Sequence, residues 1–218
     1  MNKLKHAISL YAFIFVVWGF YRLLFKLPEV VEELMLKLLV WLVPLYWVLA
    51  KEGVSSSAEA LKSVGWTNKN IFKSIYLAIG LGVLFAAEGM IINSVKYGGS
   101  FNFLQISLSG VALLGALGLS LVTAISEETV FRGFIFSRVW QAMNNEWKAN
   151  ILTSIAWSLV HLPITIFVFK YDPAQIASFL LLTFLFGAAS SFVYARTGNI
   201  ASSVLLHVFW EWPIILFR

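Results

Sequence analysis

Residues 103–133 read FLQISLSGVALLGALGLSLVTAISEETVFRG. From Phe103 to Ile125 no charged side chain interrupts the run, and about 20 mostly apolar residues are what an α-helix needs to cross the hydrocarbon of a bilayer. The run ends on Ser126-Glu127-Glu128-Thr129-Val130-Phe131-Arg132-Gly133, where two carboxylates and a guanidinium sit among apolar neighbours. The rest of the chain has the same character. Of 218 residues, 60% are hydrophobic and 12% charged, against roughly 25% charged in soluble domains. A water-soluble fold cannot hide that much apolar surface, so the chain reads as an all-α polytopic membrane protein.

Working outward from this segment, seven stretches are apolar enough to be membrane helices: Ala7 to Phe25, Leu34 to Ala50, Ile71 to Ser94, Phe103 to Ile125, Ile151 to Phe169, Ala174 to Ala195 and Ile200 to Phe217. The second is the weakest, because Pro44 interrupts it and Glu29, Glu32 and Glu33 crowd its entrance. The first follows Lys3 and Lys5 as a secretory signal would, but Trp18, Tyr21 and Arg22 stand where small residues would mark cleavage, so it reads as a retained helix. One or two short interfacial helices are expected besides. Gly53 to Lys69 sets Leu61, Val64 and Trp66 among polar residues, and Thr129 to Met143, continuing the fourth segment, carries Val130, Phe131, Phe134, Ile135 and Val139 beside Arg132 and Arg138. No long polar stretch leaves room for a soluble module, so residues 1–218 are read as a single membrane domain.

The chain has no cysteine, which excludes disulfides, thiolate metal sites and a cysteine nucleophile. The net charge of +5 comes from residues scattered among loops, not from a basic stripe, so nucleic acid is not an expected partner and membrane orientation is the better reading. With the N-terminus inside, Lys3, Lys5, Lys51, Lys62, Lys69, Lys73, Arg132, Arg138, Lys148 and Arg196 fall on the cytoplasmic side; Arg22, Lys26, Lys37, Lys96, Lys170 and Arg218 fall on the other. Cytoplasmic loops carry the excess of Lys and Arg. A cytoplasmic N-terminus is expected, in what the short loops suggest is a prokaryotic plasma membrane.

Ionisable residues inside apolar segments are costly and therefore candidates for function. Glu128 and Arg132 are four apart and face each other on a helix, while Glu127, about 100° around, is left without that partner and is a candidate general base. His161 follows Trp157 by four residues, and Pro163 two residues later distorts the next turn and helps expose the imidazole to a cavity. His207 and Glu211 are again four apart and can hydrogen bond, orient a water or ligate a metal together. Glu88 has no partner at helical spacing and is read as structural; His6 sits in the basic N-terminal stub and is read as solvated.

Among intramembrane hydrolases, an aspartyl dyad needs two Asp and the chain has only Asp172; the His-Glu-x-x-His zinc motif is absent. Leu108-Ser109-Gly110 lacks the glycine pattern that precedes a rhomboid-type serine. Glu with His remains. Glu-Glu-x-x-x-Arg at 127–132, aromatic-x-x-x-His at 157–161 and His-x-x-x-polar at 207–211, in that order on three hydrophobic segments, resemble the CPBP family of intramembrane proteases. That family comprises the type II CAAX prenyl endopeptidases and the bacteriocin-processing or self-immunity (ABI) proteins. The resemblance covers residues 103–217, the expected catalytic core.

The resemblance implies an intramembrane endopeptidase in which Glu127 is general base on a water held with the help of His161. Glu128 is fixed by Arg132, and His207 with the residue at 211 stabilises the oxyanion. It implies a peptide or membrane-protein substrate, prenylated in one branch of the family, met in membrane lipid. It leaves metal dependence open, with Zn2+ as the candidate ion and His161, His207, Glu211 and Glu127 as candidate ligands. The alternative within the family is a catalytically silent protein acting in bacteriocin self-immunity or partner binding. Position 157 is Trp where Phe is usual, and position 211 is Glu where Asn or Asp is usual. Ionised Glu accepts hydrogen bonds but donates none, so Glu211 is expected to be protonated, to ligate a metal, or to orient His207.

Overall fold

The computed structural model describes residues 3–96, Gly98 and 110–216. Positions 97 and 99–109 lie outside the described residues, and with them the first part of the fourth segment and the Leu108-Ser109 fragment. The described chain forms eight helices and no strand. They are α1 (Lys3–Leu24), α2 (Glu29–Lys51), α3 (Ser57–Ser63), α4 (Ile71–Lys96), α5 (110–143), α6 (Glu146–Val168), α7 (Pro173–Thr197) and α8 (Ala201–Leu216). Six of them, α1, α2, α4, α5, α6 and α7, are long and apolar enough to cross a membrane. The seventh expected segment is α8, whose 16 residues extend about 24 Å at the helical rise. It packs against α4, α5 and α7 in the middle of the bundle.

The second segment is not the broken one its sequence suggests. Helix α2 runs unbroken from Glu29, and Pro44 is the second residue of its regular stretch Val43–Lys51. Two wide, π-type stretches precede it, Glu32–Leu36 and Leu38–Leu42, with Lys37 between them. The expected crowding at the helix entrance is also absent. Glu32 and Glu33 lie inside the bundle, 6% and 7% exposed, and Lys37 is 4% exposed.

The short helix expected between the second and third segments is α3. Ser56 caps it by accepting from the amide of Glu59, and Ser55 donates to the Glu59 carboxylate from both amide and hydroxyl, which holds that exposed carboxyl below its usual range. The second expected interfacial piece is corrected. Thr129–Phe136, a π-type stretch continuing Gly110–Glu128, is buried at every position, and α5 proceeds through Ser137–Met143 as one rod. Its arginines can be buried because each is neutralised. Arg132 pairs with Glu128, and Arg138 reaches Glu52 at the end of α2 through Nε (3.0 Å) and Nη2 (2.8 Å). Glu127 and Glu128 consequently stand in mid-rod, not at a helix end.

One end of the bundle is laced together by polar contacts. Arg138 Nη1 donates to the carbonyl of Ser63, and Asn70 donates to that of Thr197. Asn199 donates to the carbonyls of Thr67 and Lys69, and the Ile200 amide donates to Gly65. His6, expected to be solvated, lies 3.4 Å from Glu52 in the same network. This end gathers the start of α1, the end of α2, α3, the start of α4, the end of α5 and the α7–α8 turn.

The closest approach here is at Gly133, where an added Cβ would stand 2.5 Å from the carbonyl oxygen of Val64. Gly133→Ala is expected to lower stability by about 1–3 kcal/mol through overpacking against backbone that has no rotamer to give. That exceeds the gain in helix propensity of about 1 kcal/mol. Gly118→Ala, with nothing within 4 Å, keeps only the propensity term. Thermal unfolding of both in detergent checks this: equal midpoints would mean that α5 and the segment after α3 do not meet so closely.

Candidate active site

The π-type turns of α5 begin directly after Glu128. Glu128 is fully buried and joins three helices. Its Oε1 accepts from Arg132 Nη1 at 3.0 Å and faces His207 Nδ1 at 2.8 Å, while Oε2 accepts from Ser190 Oγ of α7 at 2.6 Å. The expected Glu128–Arg132 pair is therefore present, and its guanidinium lies 4.6 Å from the Trp157 ring and 5.5 Å from the Phe186 ring. Gly187 of α7 makes room for it: a Cβ there would come 3.2 Å from Arg132 Nη2.

Glu127 does not lack a partner. The Lys37 ammonium of α2 donates to Glu127 Oε1 and also meets Glu33, one turn back on its own helix, at 2.6 Å. Thr123 donates to Glu33 at 2.7 Å. Lys37 is thus a buried bridge between α2 and α5, with the rings of Trp41 and Trp18 5.7 and 6.0 Å away. The other Glu127 oxygen accepts no hydrogen bond among the described residues.

His161 stands where the regular part of α6 ends, at Val160, ahead of Pro163 and the wide turns Ile164–Val168. Its Nδ1 is 2.9 Å from the carbonyl of Trp157. A carbonyl only accepts, so Nδ1 carries the hydrogen and Nε2 of the neutral ring offers a lone pair. Trp157, fully buried, sets the ring's orientation by edge contact at 4.5 Å and touches Phe131 and His207 as well, at 4.9 and 5.9 Å.

On α8, His207 Nε2 lies 3.3 Å from Glu211 Oε1, as the spacing of four predicts, and Ser120 of α5 donates to Glu211 Oε2. With Glu128 on Nδ1 and Glu211 on Nε2, both imidazole nitrogens face carboxylates; both contacts are satisfied as hydrogen bonds when the ring carries both protons.

Glu127, His161, His207 and Glu211 line one cavity of about 520 Å³, together with Lys37, Glu33, Ser120 and Thr123. Glu88 lines it too, with Oε1 buried and unpaired among the described residues. These side chains do not fit a metal ion as they stand. Among the described residues no group of three or more His, Asp or Glu is placed to hold one. Both His207 nitrogens are taken by carboxylates, and one Glu127 oxygen is taken by an ammonium.

Sequence reasoning missed Lys37, Glu33, Ser120, Thr123 and Ser190. Glu33 and Lys37 did carry a signal. They are four apart at the head of an apolar run, the same pattern that marks Glu128 and Arg132, and the order Glu before Lys is the favourable one.

An integral membrane protein of apolar helices that bury a Glu/Arg/His cluster beside one polar cavity is the class these observations define. Residues 108–213 match the family model of the type II CAAX prenyl endopeptidases, Rce1-like. No curated protein matches the chain.

Proposed function

We propose that the protein is an intramembrane endopeptidase that hydrolyses a peptide bond with a water activated by Glu127. The observation that carries this reading is the convergence of Glu127, His161 and His207, from three helices, on one cavity. A water between the free Glu127 oxygen and His161 Nε2 gives up a proton to Glu127 as its oxygen attacks the carbonyl carbon. Charge moves to the carbonyl oxygen. The His207 Nε2–H, held by a long contact to Glu211, is the donor that this oxyanion takes over. Collapse breaks the C–N bond, and the proton held by Glu127 goes to the departing amine. Glu128, with Arg132 and Ser190, keeps His207 aimed; Glu211 and Lys37 are positioning residues. No step needs a metal. The substrate is a peptide or membrane-protein segment reached within the lipid, and the N-terminus is cytoplasmic in a prokaryotic plasma membrane.

The test is turnover of membrane peptides by the purified protein in 18O-labelled water. In a single turnover the new carboxyl terminus is expected to acquire one 18O, because the attacking water comes directly from solvent. An unlabelled carboxyl terminus would mean that a Glu side chain attacks first. A protein that binds partners yet cleaves no peptide would belong to the silent, immunity-type members of the family instead.

A further inference from the structure

The cavity is off-centre in the bundle. It is lined by the later parts of α1, α4, α6 and α8 and the earlier parts of α2, α5 and α7, represented toward its mouth by Arg22, Glu29, Ile92, Ala116, Phe169 and Phe179. Short connections make successive rods run in opposite directions, so all these residues lie toward one end, the end away from the N-terminus. Glu29 and Phe169 are exposed while lining the cavity, whereas Glu127 and His207 at its depth are buried. The opposite end is closed by the Arg138–Glu52 pair and by the asparagine contacts that tie the α7–α8 turn to the start of α4.

The structure also sharpens the distribution of basic residues. Arg22 and Lys37, which by position in the chain belong to the mouth end, are inside the bundle and paired with Glu32 and with Glu33 and Glu127. Arg132 is likewise internal. Exposed Lys3, Lys5, Lys51, Lys62, Lys69, Lys148 and Arg196 remain at the closed end, against exposed Lys26 and Lys170 at the mouth end, where Lys96 and Arg218 also fall by sequence. All these connections are short enough for the charge rule to apply, and the Lys/Arg-rich side stays in the cytoplasm.

We infer that the cavity opens to the non-cytoplasmic face of the membrane. Its substrate is a peptide already exported, or a membrane segment whose scissile bond lies toward the outer leaflet, not a lipidated C-terminus displayed in the cytoplasm. The sidedness stands on geometry and charge alone; that something is cut there rests on the hydrolase reading above.

The chain has no cysteine, so single cysteines report side without background. Leu27→Cys and Phe169→Cys mark the mouth end; Ser55→Cys and Gln141→Cys mark the closed end, two sites each in case one variant folds poorly. A membrane-impermeant maleimide added to intact expressing cells is expected to label the first pair, and the second only after permeabilisation. The reverse pattern, or labelling of both ends in intact cells, overturns the inference. Right-side-out vesicles given an impermeant peptide are then expected to cleave it and inverted vesicles to leave it whole. Cleavage by inverted vesicles alone overturns the inference and keeps the hydrolase. Mouth-end labelling with no cleavage in either orientation keeps the sidedness and removes the hydrolase.

Discussion

Glu127→Gln is expected to lower kcat by about 10²–10⁴-fold, the span a positioned general base contributes, with little change in KM or in thermal stability. The substitution is isosteric, and the amide oxygen still accepts from Lys37, so the α2–α5 bridge survives. What disappears is the basic oxygen that takes the proton from water. The comparison with Glu128→Gln is informative because Glu128 meets Arg132, Ser190 and His207 at once; its loss disturbs packing together with activity. Steady-state kinetics of Glu127→Gln, read beside its melting midpoint, decide the matter. Wild-type turnover would remove Glu127 from the reaction.

Lys37→Cys is expected to cost about 100-fold in kcat at nearly constant KM, the size of loss that a misplacement of about 1 Å produces. Without the ammonium, Glu127 is no longer fixed toward α2, and Glu33 is left buried beside it with Thr123 as its remaining partner. The thiol is unique in the chain and lies on the cavity wall, so it can be alkylated in place. Aminoethylation with 2-bromoethylamine rebuilds a side chain of lysine length ending in an ammonium; ethylation rebuilds most of the bulk without the charge. The first is expected to restore turnover and the second is not. Equal recovery by both reagents would make Lys37 a packing residue, and full activity of the unmodified variant would leave it no part in placing Glu127.

The features legible in the chain were those carried within one helix. The Glu128–Arg132 and His207–Glu211 contacts follow from a spacing of four on an α-helix, and both are present. The change from regular to wide turns after His161 accords with Pro163, whose missing amide hydrogen removes one bond of the helical ladder. Contacts across the chain were not legible. Lys37 and Glu127 are separated by 90 residues, Ser190 and Glu128 by 62, and His6 and Glu52 by 46. Nothing in periodicity tells which face of one apolar helix meets which face of another. Lys37 and Arg22 were therefore counted as loop charges although they lie inside. The same blindness turned the buried continuation of α5 into a surface helix, since a stripe of Phe, Ile and Val beside two arginines looks amphipathic until the carboxylates that neutralise those arginines are found.

Composition and run length alone determined that this is a helical membrane protein, because a bilayer core admits a backbone only when its hydrogen bonds are satisfied within the segment. Order and spacing of the Glu, Arg and His residues pointed to the family whose model matches residues 108–213. Tertiary structure alone decided that Glu127 is held by a lysine from another helix, that His207 lies between two carboxylates, and that the cavity occupies the end of the bundle away from the N-terminus. Burying a charge in an apolar bundle requires a partner within reach, and which charges find each other is settled only when the helices pack.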